Sequence, residues 1–315
     1  MDRVAREVLN EHIAFVSTDS PYQAHARLAQ SVWREGKGYP IGLHKEMPLG
    51  SRLAMPWAET SLAAFLTERT RDLVRREVIE DTRDRSKLFG RPRIFNDLLS
   101  SQPLCFNAFA ELASDLPLAS QVGHELWPDL VANVDRIELE WSPGRASATY
   151  LNNRSAFDVA WFCRNAADER TFIGIEVKYH ENMRVRNARH QALYDDLANS
   201  SGVFMEHAVS VLTRPPLQQI WLDHLLALVL RLSDPGLTSV RFVLCAPKAN
   251  AACSDVAGAY RNMLRSEDTF EHLSLDQLVT ALERVAVPAA DELRRRYLPW
   301  TLPNYHPGEC SPHVV

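Results

Sequence analysis

Asp158, Glu176 and Lys178 are the residues of this 315-residue chain whose types and spacing point to chemistry. Residues 171–180 (TFIGIEVKYH) have the apolar content of a buried strand. Strand side chains alternate, so Ile173, Ile175, Val177 and Tyr179 share one face and Gly174, Glu176 and Lys178 the other. Charged side chains are seldom buried unless paired or bound to a metal, so the second face calls for an explanation. Residues 155–163 predict a partner strand, with Phe157, Val159, Trp161 and Cys163 on one side and Ala156, Asp158, Ala160 and Phe162 on the other. The polar linker 164–170 is short enough to join the two as an antiparallel hairpin. Asp158 then meets Glu176 on one face, beside Lys178. Two acids and a lysine suit metal-assisted phosphodiester hydrolysis. The carboxylates offer hard oxygen ligands to Mg²⁺ or Mn²⁺, and the lysine can position a water or stabilise charge on the phosphorus centre.

The surrounding elements must hold these groups in place. Residues 1–35 read as two helices, the second opened by Pro21 in its first turn. The glycines and prolines between 36 and 56 read as loop. Residues 59–78 have the apolar spacing of one helix, and the segment 79–93 is polar and charged. Helices are predicted over 95–112 and 116–126, with Pro103 and Pro117 as breaks. Residues 136–141 alternate strictly, Ile137, Leu139 and Trp141 against Glu138 and Glu140, and give the first core strand. After Tyr179 an insertion, 180–216, carries a polar helix over about 186–199. Pro215 and Pro216 precede an apolar helix over 217–232, and 239–246 form a buried strand ended by Pro247. Residues 260–285 read as helical with a turn near Ser274, and the proline-rich 298–315 as a loose tail. The order β, β, β, α, β predicts an α/β protein with a mixed four-stranded core sheet flanked by helices and a helical N-terminal region. The expected organisation is an N-terminal helical region over 1–94 packed on the core, the core over 95–290, and a tail over 291–315.

With this pattern in place, Asp158 and the Glu176-Val177-Lys178 triplet resemble the signature of the PD-(D/E)XK nuclease superfamily. Phe157 stands where the first letter of that name would put proline. Residues 22–34 (YQAHARLAQSVWR), 98–107 (LLSSQPLCFN), 173–179 (IGIEVKY) and 219–226 (QIWLDHLL) are further similar to a bacterial restriction-endonuclease-like family of that superfamily, from about 22 to about 278. The resemblance implies a Mg²⁺- or Mn²⁺-dependent endonuclease acting on DNA, with Asp158 and Glu176 as metal ligands and Lys178 handling the attacking water. It also implies a further acid, for which Glu111, Glu125 and Glu140 are candidates. A glutamine on the helix after the E-x-K strand would contact the site; Gln219 has that position, and Gln191 is a weaker candidate. The alternatives are a catalytically silent nucleic-acid-binding or regulatory module on the same fold, or a nuclease acting on RNA or branched DNA. Dimerisation would suit double-strand cleavage of a palindrome, by symmetry.

Composition sets the limits around this. Hydrophobic content of 46% and charged content of 24% are those of a globular protein. The charged N-terminus lacks a signal-peptide core and the longest apolar run, 225–230, is far short of a membrane span, so a cytoplasmic protein with no membrane partner is expected. The five cysteines, Cys105, Cys163, Cys245, Cys253 and Cys310, form no C-x-x-C pair and fit reduced, buried thiols better than zinc or disulfides. A net charge of −5 argues against a broadly basic nucleic-acid surface. Local basic runs remain (Arg83, Arg85, Lys87, Arg91 and Arg93; Arg184, Arg186 and Arg189; Arg294 to Arg296), most simply as solvated helix faces and loops. There is no H-x-x-x-H or H-E-x-x-H pattern, no Walker A or G-x-G-x-x-G loop and no Gly-x-Ser-x-Gly elbow, which removes zinc hydrolysis, nucleotide-driven motors, dinucleotide binding and serine hydrolysis. His224, among leucines, reads as a core histidine bonded to a backbone carbonyl.

Overall fold

The structure is a computed structural model describing residues 2–80, 87–184, 189–303 and 305–309. Arg83, Arg85, Arg186 and Cys310 lie outside the described residues. The chain forms two units, one of residues 1–81, 89–111 and 282–315 and the other of 82–88 and 112–281.

The first unit is helical around a hairpin that was not expected. Ser20 and Gln23 form a reciprocal capping box at the head of the helix Pro21–Gly36. The stretch read as loop contains β1 (Ile41–His44) and β2 (Met47–Leu53), paired antiparallel. Its turn residues, Lys45 and Glu46, both have positive φ, the handedness a tight hairpin turn needs. A side chain at Gly42 would lie 2.1 Å from the Leu53 carbonyl oxygen, so what looked like a breaker is a close approach of two strands. The predicted helix over 59–78 is divided. Trp57–Ser61 stops at Leu62, which has left-handed φ, and Glu68–Val74 then leads into a wider turn, Arg75–Glu80. Arg296, read as part of a solvated basic run, is fully buried in the helix Ala290–Tyr297. Its guanidinium lies over the Trp33 ring at 4.0 Å and donates to the Ala64 carbonyl and the Gln30 side chain. It is a structural cation.

The second unit is a five-stranded mixed sheet, in the order β3 (Asn133–Trp141), β4 (Phe157–Arg164), β5 (Arg170–Val177), β6 (Leu237–Ala246) and β7 (Phe270–Ser274). The pairs β3–β4 and β4–β5 are antiparallel, and β5–β6 and β6–β7 parallel. Four of these strands match the expected order, and β7 corrects the four-stranded core and the helical reading of 260–285. Phe270 pairs with Phe242 in the ladder and packs 4.8 Å from the Tyr260 ring, so a five-residue strand wins over its helical neighbours by tertiary packing. The helix Leu116–Leu126 covers the sheet face bearing Trp161, with Gly123 against that ring. The crossover helix Gln218–Ser233 and the helix Ala251–Arg261 share the other core, with Phe172, Phe242 and Leu244.

One feature of the sheet departs from simple alternation. Glu140 has φ +51, a left-handed conformation in mid-strand, and the side-chain order slips there. Trp141 packs 5.0 Å from Phe162 and 5.7 Å from Phe172, on the face opposite Trp161. Phe157 follows it, 5.3 Å from Phe172 and over the bare backbone of Gly174. Trp141 and Phe157 are therefore not on the faces that alternation assigned them.

The four described cysteines, Cys105, Cys163, Cys245 and Cys253, are buried free thiols. Among the described residues, no helix is long and apolar enough to cross a membrane.

Candidate active site

Asp158 lies just past the end of the β4–β5 ladder. The last paired residues of the β4–β5 hairpin are Val159 and Ile175. Beyond them the Asp158 carboxylate replaces the backbone as acceptor and takes the Val177 N–H at 2.8 Å. Asp158 is thus fixed by the end of the very strand that carries Glu176. On β5, Glu176 and the following Lys178 are 6% and 7% exposed, and the Lys178 ammonium donates to Glu176 Oε1 at 2.6 Å. The same oxygen accepts from the Gln219 amide, in the first turn of the crossover helix. The turn after β5 is held from below by Asn250, a buried side chain that donates to the Tyr179 and Glu181 carbonyls at 3.0 Å each and accepts from Cys253 N–H at the head of the next helix. The Lys178 N–H donates to the Cys245 carbonyl at 2.8 Å, so Lys178 is held at both its backbone and its tip.

A cleft of about 270 Å³ opens at this place, lined by Asp158, Gln219, Asp223 and Glu140 together with Arg145, Asn153, Arg154 and Ser155. Glu140 is ion-paired with Arg145. The electrostatics are those of crowded acids. Burial, then the Glu176 and Glu140 charges, push the Asp158 pKa well above the usual carboxylate range against the opposing pull of Lys178 and the Val177 N–H. Asp223 is raised in the same way, by burial first and Glu176 second, and burial raises Glu140 against Arg145. Burial works to discharge Lys178, but Glu176, Glu181 and Asp158 outweigh it and raise its pKa above the ordinary lysine value. Lys178 is a fixed cation here.

The structure thus brings Asp158, Glu176, Lys178, Gln219 and Glu140 together. Glu111 belongs to the other unit, where it accepts from the Thr67 hydroxyl at 2.6 Å and pairs with Arg69 at 3.2 Å. Glu125 is an exposed helix residue. Gln191 donates to the Tyr194 hydroxyl and to the Asn152 carbonyl. His224 is a fully buried core histidine whose ring nitrogens meet the Tyr260 and Thr269 hydroxyls. Asp223 was missed by sequence reasoning. The available signal was its spacing, four residues after Gln219 on one helix face, as the only acid in an otherwise apolar helix. Arg145 was missed because its role depends on a loop folding back onto β3.

The donor set fits a hard divalent cation. Asp158 and Glu176 offer carboxylate oxygens at one place, and the buried Asp223 Oδ2 beside them has no hydrogen-bond partner. Among the described residues, no three His, Cys, Asp or Glu side chains are arranged to enclose an ion by themselves. That suits Mg²⁺, which keeps several of its waters and takes one or two carboxylates plus substrate phosphate, better than zinc.

No curated protein and no solved structure matches the chain. A family model does: that of the PD-(D/E)XK nuclease superfamily matches residues 17–299, a span that includes the whole five-stranded sheet. With nine-tenths of its length so matched, and an Asp on one strand facing a Glu-x-Lys on the next, the chain belongs to the PD-(D/E)XK nuclease superfamily.

Proposed function

We propose that this protein is a metal-dependent endonuclease that hydrolyses DNA phosphodiester bonds, of the restriction or defence type. The observation that carries the reading is the shared Glu176 oxygen. Lys178 and Gln219 both donate to it, while Asp158 is tied to the backbone of the same strand end. Such an arrangement costs stability through crowded burial of charge, and active sites are where costs of this kind are found.

Asp158 and Glu176 would hold Mg²⁺ or Mn²⁺, and when bound the ion polarises the phosphate and makes a water easier to deprotonate. The protein's own part is positional. Gln219 fixes the Glu176 carboxylate through a hydrogen bond from the rigid crossover helix. Lys178, held charged among Glu176, Glu181 and Asp158, donates to the attacking water and to phosphoryl oxygens as negative charge grows on them. Its raised pKa favours this electrostatic role over that of a free base. Arg145, Asn153 and Arg154 in the cleft supply donors for the substrate backbone. DNA contacts beyond the cleft would come from the N-terminal helices and the insertion 180–216, and a homodimer would present one such site to each strand of a duplex.

The test compares wild type with Asp158→Ala and Lys178→Ala on plasmid DNA, with Mg²⁺, with Mn²⁺ and with chelator. Metal-dependent nicking or cutting by the wild type alone, with both variants folded by circular dichroism, is the expected result. Undiminished cleavage by folded Asp158→Ala would remove the assignment.

A further inference from the structure

In the crossover helix, residues 220–230 are all buried, and two of them can titrate. His224 has a hydroxyl on each ring nitrogen. Asp223 does not have that satisfaction. It is 5% exposed, it lines the cleft beside Gln219 and Asp158, and its Oδ2 has no hydrogen-bond partner. Buried carboxylate oxygens are ordinarily hydrogen-bonded, paired or bound to a metal, so an orphaned one facing a cleft points to something the cleft takes up. Of the nearby cations, Lys178 is engaged with Glu176 and Arg145 with Glu140.

A count of charge says what is missing. Counted as ionised, the carboxylates Glu140, Asp158, Glu176, Glu181 and Asp223 face the cations Lys178, Arg145 and Arg154, five negative charges against three positive, which leaves two negative charges. A site for a polyanionic backbone cannot keep that excess and still admit phosphate. One divalent cation cancels it. Resting on the metal-dependent reading above, we propose that Asp223 is a third carboxylate of the cation site, adding its charge through the waters of a divalent ion that Asp158 and Glu176 hold. One turn of one helix then does two jobs. Gln219 steadies the Glu176 carboxylate and Asp223, four residues on, adds its own charge. Because Mg²⁺ retains waters, Asp223 can act without the acids closing into a cage.

The experiment titrates Mn²⁺ into wild type, Asp223→Asn and Asp158→Asn, reading free Mn²⁺ by electron paramagnetic resonance, with thermal unfolding recorded in chelator and in Mn²⁺. Asp223→Asn keeps size and shape, and Asp223→Ser provides a second neutral replacement carrying the same expectation. Mn²⁺ affinity should fall about 10- to 100-fold in the Asp223 variants. In chelator Asp223→Asn should unfold at a higher temperature than wild type, since an unpaired buried charge is gone. Together these separate loss of a charge at the ion from loss of structure. Affinity within about twofold of wild type in Asp223→Asn overturns the proposal. If Asp158→Asn loses Mn²⁺ while Asp223→Asn keeps it, the metal site stands and only the role of Asp223 falls. If wild type takes up no Mn²⁺, the metal-dependent reading falls and this inference with it.

Discussion

Gly174 is the residue through which the geometry of the site can be tested without touching the site. It lies on β5 opposite Ala160, two residues before Glu176. The first carbon of any side chain there would come within 2.5 Å of both Phe157 Cδ1 and Cε1, inside van der Waals contact by about an ångström. The ring cannot retreat easily. Phe157 is fully buried and packed at 5.3 Å from Phe172, 6.4 Å from Trp141 and 6.5 Å from Phe242. Overpacking a filled core by one methyl costs about 1–3 kcal/mol, so Gly174→Ala should lose about 2 kcal/mol, read as a lower urea midpoint at unchanged slope. Phe157→Leu alone removes ring packing and should cost a further 1–2 kcal/mol or about that. In the double variant the smaller side chain makes room for the new methyl, so the two losses should fall short of their sum by at least about 1 kcal/mol. Because Phe157 precedes Asp158, the single Gly174→Ala change should also move the Asp158 carboxylate off the Val177 N–H and reduce cleavage, and Phe157→Leu should restore part of it. Additive losses, within about 0.5 kcal/mol, would refute the claim that Phe157 is seated over residue 174.

The remaining expectations concern the groups around the site. Burial pushes the His224 pKa from 6.5 down to about 3. Between those values the unfolded chain binds the extra proton, so this histidine's contribution to stability is present above pH 6.5 and is lost as pH falls toward 3, amounting to about 2 kcal/mol between pH 7 and pH 5. The raised carboxylates tilt stability the other way, so the comparison is with His224→Gln, whose urea stability should fall less by about that amount; equal slopes in the two proteins would discard the buried neutral imidazole. Asn250→Ala removes donors from the Tyr179 and Glu181 carbonyls together with a helix cap, and should cost about 2–3 kcal/mol while lowering cleavage. A variant of wild-type stability would show that the turn does not depend on Asn250. Gln219→Leu should lower the rate about tenfold at little cost in stability, because it frees the Glu176 carboxylate without opening the core; an unchanged rate would leave Gln219 without a positioning role.

The legible part of this fold was written in local pattern. The alternation of β5 and β4, the short polar link between them, and the apolar crossover helix each depend on neighbours in sequence, and the structure has the same elements within a few residues. What was not legible depends on contacts made at a distance. Gly42 and Pro48 look like breakers because nothing local shows that the Leu53 carbonyl will lie against residue 42. The five residues of β7 carry too little alternation to outweigh two adjoining helices, and are fixed by Phe242 and Tyr260. The slip that carries Trp141 and Phe157 to the other face needs a left-handed glutamate, which a non-glycine sequence position does not announce. In the site, the two acids and the lysine were visible because strand geometry places them, and Gln219 because the family resemblance implies a glutamine on the helix after the E-x-K strand. Asp223 was hidden by the same leucines that make its helix predictable.

The slip at Glu140 and the acids of the cleft belong to one argument. A regular ladder would have continued through Asp158, paired its backbone, and left its side chain standing off the sheet like any other. Here Glu140 is left-handed, Trp141 and Phe157 both turn into the core, the β4–β5 pairing ends at Val159 and Ile175, and the Val177 N–H goes to the Asp158 carboxylate. A non-glycine residue in that conformation costs on the order of 1 kcal/mol, and crowding four acids in one cleft costs more. Both costs fall at the same point of the sheet. The first places a carboxylate with the precision of a backbone hydrogen bond, and the second creates a local demand for positive charge in a protein whose overall charge of −5 gives no general affinity for a polyanion. On the proposed reading, a divalent cation would satisfy the demand by cancelling the excess negative charge where phosphate enters, and would confine substrate binding to the metal-loaded cleft.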